Sequence, residues 1–236
     1  MVQRAYQGEL AARYDARRFR GAGGRYVNMR ELDTVLASLP SGTRTVLDVP
    51  TGTGRVALTL AGQGFDVTSI DLSQDMLALV GSSESGPNAP ILVQADASVL
   101  PLLPYSFDAC VCLRFIHFFG PDRQDQVARL LRELARVVKP GGTLIVDTNR
   151  RSPRHLGFAG RQLSTVHYHR DSDFAELLVQ AGLEITQRHE MFFLAPMLYN
   201  RLPELMVRLL EQGELALPSN WRVRVFWICR KTTNTR

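Results

Sequence analysis

The sequence predicts an α/β fold, a mostly parallel sheet with helices on both faces. Strand-like apolar runs alternate with helical periodicities between residues 45 and 147, the order that builds a parallel sheet through right-handed crossovers. Asp48, Asp71 and Asp96 each stand at or just after the end of one of the first three strands. The tail differs: its two strand-like runs, 183–187 and 221–230, suit an antiparallel pair.

Each element has a local reason. Residues 1–27 are rich in Arg and Gly, and Gly21-Ala22-Gly23-Gly24 reads as a flexible break before a helix over 29–39. Pro40-Ser41-Gly42 ends that helix. A buried strand at 45–49 leads through a glycine turn to a helix at 55–63, and a strand follows at 66–71. Ser73 is placed to cap a helix reaching Val80. The run 81–90 of Gly, Ser, Asn and Pro is a loop before the strand 91–94. Residues 108–113 form a strand after the turn Pro104-Tyr105-Ser106. Val127, Leu130, Leu131, Leu134 and Val137 recur at helical spacing over 122–138. Pro140-Gly141-Gly142 stops that helix before the strand 143–147. A helix at 172–181 follows, and Leu198, Leu202, Leu205, Met206, Leu209 and Leu210 make one further helical stripe.

At 45% hydrophobic and 22% charged residues, the 236-residue chain reads as an ordinary globular protein. It holds no apolar run long enough for a membrane span and no apolar stretch at its start, so a cytoplasmic location is expected. Cys110, Cys112 and Cys229 sit in apolar strand-like runs and read as buried thiols. Residues 1–30, 150–170 and 220–236 are strongly basic. Solvated arginines, or contact with an anionic substrate or polyanion, both fit that pattern.

The sharpest local signal is Val46-Leu47-Asp48-Val49-Pro50-Thr51-Gly52-Thr53-Gly54-Arg55. Glycines here let main chain approach a ligand, and the following helix offers free N–H groups and a positive dipole end. Gly52-Thr53-Gly54-Arg55-Val56-Ala57 also fits the dinucleotide pattern G-x-G-x-x-A, which makes a nicotinamide or flavin oxidoreductase the main rival. Asp48 argues against it, because a carboxylate there repels a pyrophosphate but suits an ammonium. Asp96 supplies a further acceptor that can take a bond from an exocyclic adenine amine.

Taken with Asp71-Leu72-Ser73-Gln74-Asp75-Met76-Leu77, Ala95-Asp96-Ala97 and the segment 133–142, this ordered set resembles the class I S-adenosylmethionine-dependent methyltransferases. The likeness is to the small-molecule type, similar to those of ubiquinone and menaquinone biosynthesis, and covers about residues 42–190. It implies a Rossmann-like doubly wound, mostly parallel seven-stranded sheet with an antiparallel C-terminal strand. A single domain over 1–236 is implied: residues 1–27 an arm or lid, 28–190 the cofactor-binding core, and 191–236 a helical insertion and last strand. The cofactor would be S-adenosyl-L-methionine, its product S-adenosyl-L-homocysteine. Gly52 and Gly54 would line its methionine part, with Asp48 near the amino group. Asp71 would hold the ribose hydroxyls, Leu72 and Met76 would border the adenine, and Asp96 with Ala97 would meet the adenine amine. Pro50 stands where the family usually has its first glycine.

The acceptor side is read from what remains. Leu113-Arg114-Phe115-Ile116-His117-Phe118-Phe119 follows the fourth strand, at the sheet edge where ligands bind. His117 is the candidate catalytic base or acceptor-orienting group, with a histidine packed among aromatics as the competing reading. Arg114 is a candidate for the cofactor carboxylate, or for an ion pair with a neighbouring acid. Tyr14, Arg17, Arg18 and Phe19 are candidates for closing over the cofactor, and the segment holding His155 and Phe158 for shaping specificity. No metal site is expected; His167 and His169 lack further ligands nearby. The expected acceptor is a small molecule, with an RNA or protein methyltransferase as runner-up and a non-catalytic cofactor-binding scaffold behind it. Nucleic acid is not the expected partner, no membrane span is expected, and the chain is expected to be a monomer or homodimer.

Overall fold

The computed structural model describes residues 19, 21–83, 88–150, 167–192, 194, 196–199, 201–214 and 219–233. Helix α1 (Gly21–Ser38) precedes strand β1 (Thr45–Asp48) and helix α2 (Arg55–Gly62). Strand β2 (Asp66–Asp71), helix α3 (Gln74–Ser83), strand β3 (Ile91–Gln94) and strand β4 (Phe107–Cys112) follow. After two short 3-10 turns come helix α4 (Gln124–Val137) and strand β5 (Val138–Asn149). Helix α5 (Asp171–Gln180), strand β6 (Leu183–Met191), helices α6 (Pro196–Tyr199) and α7 (Glu204–Glu214), and strand β7 (Arg224–Lys231) complete the order.

The seven strands form one sheet in the order β3-β2-β1-β4-β5-β7-β6. The first five pair in parallel, while β7 runs antiparallel to both β5 and β6. The order reverses at β1, so β1 and β4 flank the switch point, where a crevice opens beyond the strands' carboxyl ends.

Alternation along each strand feeds two apolar layers. Ala109 and Val111 of β4 join Val46, Val67 and Ile145 under α1 and α2. Cys110 and Cys112 join Leu47, Ile70 and Val146 under α4 and α5. The stripe expected on α4 is buried throughout, and all three thiols are free and buried. Among the described residues no helix is long and apolar enough to cross a membrane.

Several expectations shift. The Gly21–Gly24 segment is the first turn of α1 and not a break. Its glycines serve close approach: a Cβ on Gly23 would overlap the Tyr199 carbonyl, and one on Gly24 the main chain of Phe19. Helix α1 therefore begins inside the arm expected over 1–27, with Tyr26 and Val27 already in the core. Residues 140–142 lie within β5, bulging between the pairs Phe107–Val138 and Ala109–Thr143, because Pro140 has no N–H for the ladder. Strand β6 runs on to Met191, with a register shift between Ile185 and Gln187. The stripe from Leu198 to Leu210 is two helices, since Pro203 breaks it. Val207 packs inward, whereas Leu205, Met206 and Leu209 are exposed.

Candidate functional site

A cavity of about 300 Å³ opens at the carboxyl ends of β1, β2 and β4, within the range of small-ligand sites. Eight of the ten residues expected to bind or react line it: Asp48, Gly52, Asp71, Leu72, Met76, Asp96, Ala97 and Arg114. Gly54 and His117 do not. Pro50, Leu113, Phe115 and Phe118 add an apolar side.

The turn after β1 is built by main-chain bonds that need nothing from Pro50. The Thr51 N–H donates to the Ile70 carbonyl at 2.8 Å and the Gly54 N–H to the Thr51 carbonyl at 3.0 Å. Gly54 sits at φ +82°, and a Cβ there would come within 2.7 Å of Val80. Its glycine thus serves helix packing, behind the cavity wall. Asp71 binds this turn to the next element. Its Oδ2 accepts the Gly52 N–H at 2.8 Å and its Oδ1 the Ser73 N–H at 2.9 Å. Asp96 accepts both the main-chain N–H and the hydroxyl of Ser98, and its side is exposed.

Electrostatically, Asp48 stands apart. It is 2% exposed, and burial pushes its carboxyl up to about 7 against the Thr51 hydroxyl bond of 2.7 Å and the charge of Arg55. A buried carboxylate in a cavity wall is a place where a cationic group gains most. Burial also raises Asp71, opposed by the N–H groups of Ser73, Gly52 and Leu72.

Arg114 reaches the cavity, but its guanidinium is held by Glu31: Nε at 3.0 Å and Nη2 at 2.6 Å. The ion-pair reading is the one the geometry displays. Glu31 is fully buried on α1 and also takes bonds from Arg55 and Arg224, each at 2.8 Å. Asp147 completes the cluster by accepting the Arg114 N–H and the Arg224 Nε–H, both at 2.5 Å. Burial alone would raise the Glu31 carboxyl, but Arg114, Arg224 and Arg55 overcome it and hold it at about 2. Sequence reading passed over Glu31, although Val27, Glu31 and Val35 lie four residues apart on one helical stripe. An acid at the centre of an apolar stripe is the legible signal.

His117 is 3% exposed, its ring centre 4.3 Å from that of Phe118, and its carbonyl accepts the His167 N–H at 2.8 Å. It packs beside the cavity wall rather than on it. Phe19 does line the cavity; Tyr14, Arg17, Arg18, His155 and Phe158 lie outside the described residues.

Known proteins place this architecture. The sequence pattern of the methyltransferase domain family matches residues 47–146. A ubiquinone biosynthesis O-methyltransferase of Xanthomonas axonopodis pv. citri is 31% identical over 182 residues, 71% of this chain and 74% of that protein. The chain spans about half the length of the first curated relatives it matches. Among solved structures, magnesium protoporphyrin IX methyltransferase from Synechocystis, with bound S-adenosylhomocysteine, superposes with a TM-score of 0.67 at 14% identity. The alignment covers 98% of both chains. The [4+2]-cyclase SpnF gives 0.65 at 23% identity, over 87% of this chain and 81% of that one. At such identities these two likenesses speak for the fold alone.

Proposed function

The chain belongs to the class I S-adenosylmethionine-dependent methyltransferases, and on that footing we propose that it transfers a methyl group from S-adenosylmethionine to a small-molecule acceptor. One observation carries the cofactor part. Carboxylates at the ends of three successive parallel strands, Asp48, Asp71 and Asp96, all face one cavity, and the innermost is buried.

The residues fit the group. Asp48 would hold the ammonium, in a place where burial leaves a carboxylate short of positive charge. Asp71 would accept from the ribose hydroxyls with the lone pairs that Gly52 and Ser73 leave over, since each carboxylate oxygen accepts more than one bond. Leu72, Met76 and Ala97 would enclose the adenine, and Asp96 would accept from its amine. When bound, the cofactor supplies an electrophilic methyl group that an acceptor takes by in-line displacement. The protein's part is alignment and exclusion of water.

Phe115, Phe118, Leu113 and Pro50 give the acceptor an apolar wall, which suits a partly apolar small molecule. The basic segments favour a polyanion less than their composition suggests. Arg150, Arg224 and Lys231 are 6%, 2% and 7% exposed and engaged inside the protein. The test supplies the protein with methyl-labelled cofactor and a cell extract separated into small molecules, RNA and protein. Label is expected in the small-molecule fraction; label in RNA or protein would replace this reading with the macromolecular one.

Asp71→Ala is expected to weaken S-adenosylhomocysteine binding by about 1.5–3 kcal/mol, the scale of lost bonds to a charged acceptor. Calorimetry checks it, and an unchanged affinity would make Asp71 a turn residue only.

A further inference from the structure

We propose that Phe19 is a fixed wall of the cofactor cavity, held by Arg55 and Arg114 and seated on Gly24, and that it slows the cofactor's departure. This rests on the cavity being the cofactor site. Phe19 lies outside the segment that matches the methyltransferase domain pattern, residues 47–146, so its role comes from geometry.

Two independent contacts fix it. The guanidinium carbons of Arg55 and Arg114 stand 4.8 and 4.9 Å from its ring centre, within cation–π range, and such contacts strengthen away from water. Neither arginine is loose: both bond to Glu31, and Arg55 also donates to Asn28 at 2.9 Å. The main chain of Phe19 lies against the Cα of Gly24, where a Cβ would overlap it. Ring and backbone are therefore both held, and Phe19 lines the same cavity as Asp48 and Asp71. An aromatic wall fixed in this way buries ligand surface and must be displaced, or bypassed, when the ligand leaves. Gly24 is not itself among the residues that line the cavity; it is a positioning residue acting through Phe19.

The two contacts make an unusual forecast for Gly24. Alanine is the better helix former, so local propensity alone favours Gly24→Ala. The packing says that the added methyl evicts Phe19. The experiment measures affinity and dissociation rate of S-adenosylhomocysteine by calorimetry and stopped flow. The proteins are the unaltered chain, Phe19→Ala, Phe19→Leu, Gly24→Ala and the Phe19→Ala/Gly24→Ala double variant, with thermal midpoints beside them. Phe19→Ala should raise the dissociation constant about tenfold through a faster off-rate, the scale of one lost aromatic contact, with little change in the unliganded midpoint. Phe19→Leu should fall between. Gly24→Ala should show the same defect, and the double variant should be no worse than Phe19→Ala alone. Wild-type binding by Phe19→Ala, or additive losses in the double variant, would overturn the proposal. If Gly24→Ala does not fold, the two Phe19 variants still decide it. Failure of the unaltered protein to bind S-adenosylhomocysteine would overturn the cofactor reading itself.

Discussion

Glu31→Gln is expected to cost the fold about 3–5 kcal/mol, the range for removing one partner of a buried ion cluster. Set against a typical total of about 5–15 kcal/mol, that is a large fraction. The cause is specific. Glu31 is fully buried and bonded to Arg55, Arg114 and Arg224. Glutamine leaves three guanidiniums around a neutral amide, while Asp147, the other carboxylate of the cluster, is bonded to the guanidinium of Arg224. The pH dependence follows with a definite sign. The folded-state carboxyl is held at about 2, below its ordinary 4.5. Its contribution is therefore complete above about pH 4.5 and is lost as pH falls through 2. Urea unfolding of the variant at pH 7, and of both proteins down to pH 2.5, checks this. A loss under about 1 kcal/mol would mean that the cluster is merely neutral packing.

Asp48 is expected to act in the opposite direction on stability. Its folded-state carboxyl is pushed up to about 7 from 3.8. The unliganded fold therefore keeps a proton that the unfolded chain has already released. Stability should fall as pH rises from about 4 to 7, by about 4 kcal/mol in all, and level off above that. Asp48→Asn, which mimics the protonated form, should flatten this slope. Cofactor affinity should run the other way. A bound ammonium favours the ionised carboxylate, so S-adenosylhomocysteine should bind up to about tenfold more tightly per pH unit approaching 7. The groups acting on Asp48 are the Thr51 hydroxyl, Arg55, the Ala57 N–H and Asp71. Affinity independent of pH between 5 and 7 would remove Asp48 from the ammonium site.

The layout of the sheet was readable because its signals are local. Strand 66–71, with its terminal Asp71, is bounded by a glycine before and a helix cap after it, and the structure keeps those limits. Asp48, Asp71 and Asp96 were readable together because successive parallel strands bring their ends to one edge. What sequence missed depends on contacts between distant segments. Gly23 and Gly24 look like a flexible break until Tyr199 and Phe19 are seen against them. For Arg114 the sequence allows a ligand contact or an ion pair, and the partner of that pair, Glu31, lies 83 positions earlier and is seen only in the fold. His117 lies on the loop after the fourth strand, where the short 3-10 turn at 116–118 packs its ring against Phe118 and leaves it outside the cavity lining. Pro203 is legible in the sequence as a break, and it divides the leucine periodicity of 198–210 into two helices because it cannot continue a helix that precedes it.

In the proposed reading the three strand-end carboxylates make this cavity a site for S-adenosylmethionine and not for a dinucleotide. Calorimetric titration of the unaltered chain with S-adenosylhomocysteine and, separately, with NADH tests it most directly. The expected result is binding of S-adenosylhomocysteine in the micromolar range and no heat from NADH, whose pyrophosphate would meet Asp48 at the floor of the cavity. Tight binding of NADH with none of S-adenosylhomocysteine would contradict the account.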